Sequence, residues 1–340
     1  MLPVARRRFL AAGLGLGAVS IGGALLLPQR KPLQTATRRQ AALGTTVEFT
    51  VLHEEAAVAE RAIDAALAAI DQVEDVMSLY RPTSQLCQLN RAGHLAAPHP
   101  WLVNVLRQAE KVSRSSNGAF DVTVQPLWSL WSQATKAQRL PSDEEVSGVL
   151  SRVDWRAVQV DSQRVALLKP GMQLTLNGIA QGFAADRAVA ALHEVGIEHA
   201  LVNAGEVNSL GNDLLHEPWT AGVQHPRLNG AYAAVADLQG RALSTSGDYS
   251  THFTPDFKHH HIVDPRRGYS PEELASVSIV APTACEADAL STAVMVLGVK
   301  LGLELIAKFA QVDGLLMFKD GRWAATPGFP YAEGLRAIRC

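Results

Sequence analysis

ACEADALSTAVMVLG, residues 284–298, is the stretch around which the rest of the chain is organised. The segment SVSIV (276–280) precedes it and is typical of a strand. Read as a helix, residues 284–298 place Asp288, Ser291 and Thr292 at i, i+3 and i+4, so that the three oxygen-bearing side chains share one face. The surrounding residues are mostly apolar. This pattern predicts either a site for a hard cation or a buried cluster of hydrogen bonds.

The composition is that of a soluble globular protein. Of 340 residues, 47% are hydrophobic and 19% are charged, and the formal net charge is −2. The first 31 residues hold five basic residues and no acid, so the remainder has 26 basic against 33 acidic residues, a net charge of −7. That balance argues against a nucleic-acid-binding protein, which needs a basic face.

The N-terminus resembles a twin-arginine export signal. Arg6, Arg7 and Arg8 precede residues 11–27, which are uncharged and rich in glycine and alanine. The alternative is a single membrane anchor, but seventeen residues with five glycines are short and weak for a stable span. We therefore assign residues 1–36 to an export signal and expect a periplasmic protein that uses the twin-arginine export machinery. An uncleaved signal would anchor it to the membrane.

The remaining residues, 37–340, contain no linker rich in proline or serine and are treated as one domain. Apolar spacing predicts long helices over residues 56–77, 100–115 and 183–195, and a further helix over 302–310. The predicted strands are 44–52, 157–161, 164–168, 172–176, 199–205, 219–223, 276–280 and 314–318. Because strands and helices alternate irregularly, we expect an α+β fold rather than a doubly wound sheet.

Three stretches away from residues 284–298 are rich in residues that carry chemistry. Gly118–Asp121 presents an aspartate after a turn, which fits either a binding residue or a simple cap of that turn. Residues 175–182 (TLNGIAQG) open a helix with a glycine-rich turn, whose N–H groups can bind a phosphate and whose carbonyls can reach a cation. Residues 259–268 (HHHIVDPRRG) contain three adjacent histidines that cannot all face one ion. One is a candidate base or phosphate contact, and the others are expected to be surface or structural residues.

Taken together and in order, these segments resemble the ApbE family of FAD:protein FMN transferases. The segments that carry the resemblance are LGT (43–45), SLYRPTSQLCQLNR (78–91), GAFDVTVQPL (118–127), NGIAQGFAAD (177–186), LVNAGEVNSLG (201–211), STSGDY (244–249), HHIVDPRRG (260–268) and APTACEADALSTAVMVLG (281–298). With a twin-arginine signal in place of a lipoprotein signal, the chain also resembles the NosX-like branch, which is linked to nitrous oxide reductase maturation.

The resemblance implies a fold, a reaction and partners. The fold would be an α+β, T-fold-related arrangement of mixed sheets with flanking helices and FAD in a central cleft. The reaction would be Mg²⁺-dependent transfer of the FMN half of FAD to a Thr or Ser hydroxyl of an acceptor flavoprotein, with release of AMP. The NosX-like branch would point to a NosR-like membrane protein as the acceptor.

The resemblance also assigns residues. The magnesium ligands would be Asp288, Ser291, Thr292 and the carbonyl of Gly178. The contacts to FAD would be Leu43, Tyr80, Ala119, Phe120, Asp121, Thr175, Gln181 and Val263. His261 is the candidate base, because it begins HIVDP and an unperturbed imidazole titrates near neutral pH.

Two alternatives remain open from the sequence. The protein would either carry FAD as a maturation factor without transferring it, or hydrolyse FAD to FMN and AMP as a pyrophosphatase. Thr175, Gln181 and Glu206 differ from the residues usual in the family, which leaves the catalytic rate open.

Overall fold

The computed structural model describes residues 32–332, so most of the predicted export signal and the terminal Cys340 lie outside the described residues. Seven α-helices lie within this range: α1 Ala56–Met77, α2 Gln85–Ala92, α3 Pro100–Ser115, α4 Gln125–Lys136, α5 Asp143–Leu150, α6 Ala180–Glu194 and α7 Ala284–Ile306. The first strand begins at Gln34, inside the segment that the sequence assigned to the signal.

The same part of the chain contains thirteen strands. They are β1 Gln34–Ala42, β2 Thr45–His53, β3 His94–Ala96, β4 Val158–Val160, β5 Arg164–Leu167, β6 His199–Asn203, β7 Val207–Leu210, β8 Thr220–Gln224, β9 Tyr232–Asp237, β10 Ala242–Gly247, β11 Leu274–Ala281, β12 Asp313–Phe318 and β13 Trp323–Ala325.

Eight of these strands form one large sheet in the order β1-β2-β6-β7-β10-β11-β12-β13. A three-stranded sheet (β3-β5-β4) and a two-stranded hairpin (β8-β9) complete the arrangement. Every strand pair in the described sheets is antiparallel. The α+β class predicted from the irregular alternation of elements is therefore confirmed.

The main core lies between the large sheet and the helices α1, α6 and α7 that pack against it and against one another. On β2, Val47, Phe49 and Val51 alternate inward and are almost fully buried, as expected for a strand with one face on a core. Burying each such large side chain stabilises the fold by about 1.5–3 kcal/mol. The opposite face of the sheet has a smaller apolar cluster shared with β8 and β9.

Local signals predicted α1 and α3 well. Helix α1 buries a stripe at helical spacing that includes Ile63, Ile70 and Val73. Helix α3 begins at Pro100, where the missing N–H costs nothing, and the His99 side chain accepts a hydrogen bond from the backbone of Trp101.

The structure corrects one prediction of secondary structure and shifts the bounds of another. Residues 172–176 have no strand partner; they lead into the turn before α6. The backbone of α7 is non-helical at Gly298, where φ is 77°, so residues 299–306 form a second helical segment. The helix predicted over 302–310 is therefore present, but it begins earlier and ends at Ile306. By length and composition α7 could cross a membrane, but most of its side chains are buried in the core.

Candidate active site

A cavity of about 310 Å³ opens where α7, the turn before α6, the end of β10 and the loop 261–265 meet. This volume is at the lower end of the range for ligand pockets. Its wall contains ten of the thirteen residues that the sequence singled out: Ala119, Phe120, Asp121, Thr175, Gly178, Gln181, His261, Val263, Asp288 and Thr292. The fold thus brings together residues that lie up to 173 positions apart in the chain.

Three predicted residues lie outside the cavity wall. Leu43 occupies the turn between β1 and β2, half-buried, with a positive φ of 55°. Tyr80 lies in the connection between α1 and α2, and 78% of it is exposed. Ser291 is fully buried behind the wall.

Asp288 is buried on the cavity side of α7, with 3% of its surface exposed. Its Oδ2 accepts a hydrogen bond of 3.0 Å from the backbone N–H of Gly182. Burial raises the pKa of Asp288 to about 7; the Gly182 hydrogen bond opposes this rise, and the charge of Asp186 adds to it. No lysine or arginine is among the described residues that line the cavity. The carboxylate is therefore held in place without a cationic partner.

The hydroxyl groups of α7 join a network with β10. Ser291 donates to the carbonyl of Asp288 at 2.9 Å, and its Oγ lies 2.8 Å from that of Ser246. Ser246 Oγ also lies 3.1 Å from Thr292 Oγ1. The predicted cluster of buried hydrogen bonds is therefore present at Ser291. Asp288 and Thr292 face the cavity, where a cation site stays a prediction.

Glycine is required where the turn before α6 approaches α7. A Cβ at Gly178 would lie 3.0 Å from Thr292 Oγ1 and 3.5 Å from a ring carbon of Phe120. At Gly182 a Cβ would overlap the backbone of Ala284. The two glycines let the backbone of the turn and of the first turn of α6 come into direct contact with α7.

Asp121 lines the cavity, but its carboxylate is already engaged. Oδ1 accepts hydrogen bonds from the backbone N–H and the hydroxyl of Thr123 (2.8 and 2.6 Å), and Oδ2 accepts one from the backbone of Trp155 (3.0 Å). Burial raises the pKa of Asp121, and these hydrogen bonds oppose the rise. Asp121 therefore caps the short 3₁₀ helix Val122–Val124, which is the structural alternative that the sequence offered.

The three adjacent histidines have different surroundings. His261 lines the cavity, and its Nδ1 lies 2.9 Å from the carbonyl oxygen of Thr251. Because that oxygen can only accept, Nδ1 carries the proton and Nε2 keeps a free lone pair. Burial lowers the pKa of His261, while the contacts with Thr251 and Asp248 oppose this, so the imidazole is neutral at pH 7.

The other two histidines are structural. His260 is fully buried and contacts the carbonyl of Pro271 at 3.2 Å, and burial lowers its pKa to about 3. His259 stacks on Trp131 with 4.8 Å between ring centroids. These positions agree with the expectation that only one of the three serves as a candidate base.

Glu206 is a cavity residue that the sequence did not assign to the site. It precedes β7, is 8% exposed, and accepts a hydrogen bond of 3.2 Å from the backbone N–H of Thr245. Burial, and then the nearby charge of Asp288, raise the pKa of Glu206 well above its ordinary value. The signals in the sequence were an acid after the glycine turn NAG (203–205) and the departure of Glu206 from the residue usual in the family.

The oxygen atoms around the inner end of the cavity suit a hard cation. The residues that the structure describes contain no group of three or more His, Cys, Asp or Glu side chains placed to hold a metal. Mg²⁺, however, commonly uses only one or two carboxylates and takes its other ligands from waters and substrate phosphates. Asp288 supplies one carboxylate, and the Thr292 hydroxyl and the turn at Gly178 supply further oxygen atoms. The residues present therefore fit a magnesium ion.

The antiparallel α+β fold is shared with ApbE proteins of known structure. The crystal structure of the ApbE protein from Thermotoga maritima superposes with a TM-score of 0.79 at 30% identity, covering 86% of this chain and 97% of that one. The sequence model of the ApbE family matches residues 43–316. The chain belongs to the ApbE family.

Named relatives agree with this assignment. The FAD:protein FMN transferase of Escherichia coli K12 is 31% identical over 264 residues, which is 73% of each chain. The FAD:protein FMN transferase of Treponema pallidum is 30% identical over 339 residues, covering 92% of this chain and 91% of the relative.

Proposed function

We propose that this enzyme transfers the FMN half of FAD to a Thr or Ser hydroxyl of an acceptor flavoprotein and releases AMP, in a reaction that depends on Mg²⁺. The observation that carries the proposal is that His261, with its free Nε2, lines the same cavity as Asp288 and Thr292 of α7. A base and a set of hard oxygen ligands on one cavity are the parts that phosphoryl transfer to a hydroxyl requires.

FAD would lie with its pyrophosphate at the inner end of the cavity. The N-terminus of α6 and the turn at Gly178 offer backbone groups there. The buried rings and methyl groups of Phe120, Ala119 and Val263 give the wall apolar surface, and Thr175 and Gln181 add polar groups. Because the cavity is small for a dinucleotide, the rest of FAD would extend beyond it, where Leu43 and Tyr80 remain predicted contacts.

Asp288, Thr292 and the carbonyl of Gly178 would hold the metal ion, and Ser291 would act from behind by fixing Ser246. When bound, Mg²⁺ would neutralise the negative charge on the pyrophosphate. The side chains of α7 would therefore set the position of the phosphate that is attacked.

In the transfer step the acceptor hydroxyl oxygen forms a bond to the phosphorus of the FMN half. His261 Nε2 takes the hydroxyl proton, and the bond from that phosphorus to the oxygen of AMP breaks. The carbonyl of Thr251 holds the imidazole in the tautomer that can accept the proton.

The test is incubation of the protein with FAD, Mg²⁺ and the flavin-carrying domain of a NosR-like membrane flavoprotein, followed by denaturing gel electrophoresis and flavin fluorescence. We expect a fluorescent acceptor band. Intact FAD bound without any transfer would instead identify a flavin carrier. Free FMN and AMP without an acceptor would identify a pyrophosphatase.

We also propose that the protein acts in the periplasm after export by the twin-arginine machinery, with a role in nitrous oxide reductase maturation. The arginines at positions 6–8 and the uncharged residues 11–27 support this. A fusion of residues 1–40 to a reporter should be exported, and changing Arg6 and Arg7 to lysine should block its export. Export of the altered fusion would contradict the assignment.

A further inference from the structure

Two buried carboxylates, Glu206 and Asp288, line the cavity, but the proposed function gives a role only to Asp288. Asp288 is 3% exposed and Glu206 is 8% exposed. Two buried carboxylates are costly unless each has strong partners or a cation lies between them. The described lining of the cavity contains no lysine or arginine that could act as that cation.

The strand register places Glu206 on the side of the sheet that faces the helices. Val207 and Asn208 pair with Leu243 and Ala242 of β10. Because side chains alternate along a strand, Glu206 shares a face with Asn208. The amide of Asn208 donates to Asp186 on α6 at 2.7 Å, so this face of β7 is turned toward the helices. Glu206 therefore faces the same space as Asp288.

A third acid on this side, Asp186, shows what a structurally satisfied carboxylate looks like in this fold. It accepts hydrogen bonds from the backbone N–H groups of Ala284 and Cys285 and from Asn208, at 2.7–3.0 Å. Glu206 has one backbone donor, Thr245, at 3.2 Å, and a hydrogen bond with the Ser244 hydroxyl. Glu206 thus has fewer donors than its buried position calls for.

We propose that Glu206 is the second carboxylate of the divalent cation site, acting with Asp288. This inference rests on the proposed magnesium dependence. It goes further because it assigns the second anionic group of the site to the residue just before β7. The predicted ligand Ser291 cannot take this part, because its hydroxyl is fully buried and bonded to Asp288 and Ser246. Two carboxylates are the usual upper number for a protein site that binds Mg²⁺ together with phosphates.

The experiment is a titration of the metal-free protein with Mn²⁺, a paramagnetic substitute for Mg²⁺, followed by electron paramagnetic resonance. Glu206→Gln keeps the shape of the side chain and an acceptor for the Thr245 N–H. We expect it to weaken Mn²⁺ binding about 10- to 100-fold, and Asp288→Asn to do the same. Glu48→Gln is the matched control, because Glu48 lies on β2, is partly exposed and pairs with Arg39; its affinity should stay at the wild-type value.

Thermal unfolding separates a role in metal binding from a structural role. In chelator, Glu206→Gln should unfold at a temperature no lower than the wild type, because a buried carboxylate has been removed. In Mg²⁺, it should gain less stability than the wild type. Wild-type affinity of Glu206→Gln for Mn²⁺, no Mn²⁺ binding by the wild type, or an equal loss of stability with and without metal would each overturn the inference. Absence of FMN transfer by a wild type that binds Mn²⁺ through Glu206 would count against the proposed function alone.

Discussion

The carboxylate of Asp288 on α7 accepts a hydrogen bond from the backbone N–H of Gly182 in the first turn of α6, at 3.0 Å. One acid thereby fixes the relative position of two helices and also faces the cavity. The geometry of the candidate metal site is therefore linked to the packing of α6 on α7. Changes on either helix should affect both stability and function, in proportions that differ from residue to residue.

Asp288→Asn separates these two effects. The asparagine oxygen can still accept from Gly182, so the midpoint of thermal unfolding should stay near the wild-type value. The Mg²⁺-dependent FMN transfer should fall about 100-fold or more, because a neutral amide is a poor ligand for a hard cation. Asp288→Ala should in addition lose about 1–3 kcal/mol of stability, since the Gly182 N–H is left unpaired. Unchanged transfer by either variant would refute the assignment of Asp288 as a metal ligand.

Gly182→Ala tests the close approach of the two helices. The added Cβ would overlap the backbone of Ala284, which cannot move away as a flexible side chain could. We expect a loss of at least about 2 kcal/mol in the free energy of unfolding, measured by denaturant titration. The matched control is Gly148→Ala in α5, where a Cβ meets nothing within 4 Å, and which should gain about 0.5–1 kcal/mol. Equal stability of the two variants would show that the helices are not in contact at Gly182.

His261→Gln tests the candidate base. FAD binding should be retained, while FMN transfer should fall about 100-fold or more. His193→Gln is the control, because His193 is exposed near the end of α6 and should leave the rate unchanged. Transfer by His261→Gln at the wild-type rate would exclude His261 as the base.

The pH dependence of the wild-type rate is a separate check on His261. A base must be unprotonated, and the pKa of His261 lies below its ordinary value because of burial. The transfer rate should therefore be constant above about pH 6.5 and fall only as the pH decreases below that value. A rate that continues to rise steeply from pH 7 to pH 8 would point to a different base.

His260 should make the fold sensitive to acid. Its pKa is lowered to about 3 in the folded state, so between pH 6.5 and pH 3 the unfolded chain binds a proton that the folded chain does not. The free energy of unfolding is therefore unaffected by His260 above pH 6.5. It decreases as the pH falls below that value, by about 2 kcal/mol at pH 5. His260→Gln should lose less stability than the wild type between pH 7 and pH 5, measured by urea unfolding. His252→Gln, at an exposed position, should follow the wild type.

The long helices and much of the candidate site could be predicted from the sequence, because both depend on local patterns. The boundaries of α1 and α3 follow from apolar spacing and from Pro100, which act within a few residues. The strand predicted over 172–176 was wrong because the backbone of this segment has no strand neighbour, and the N–H of Thr175 donates to the carbonyl of Val122. The Asn90 side chain bonds the backbone of Leu174 in the place of a sheet partner.

The sequence alone determined the fold class, the family resemblance and which residue types could form the site, because these follow from patterns along the chain. Only the tertiary structure decided which groups face the cavity. Asp288 and Thr292 face it, as does Glu206 from the residue before β7, while Ser291 is turned toward Ser246. The physical reason is that helical spacing fixes a shared face, but the packing of β10 against α7 decides which part of that face is covered and which part stays open.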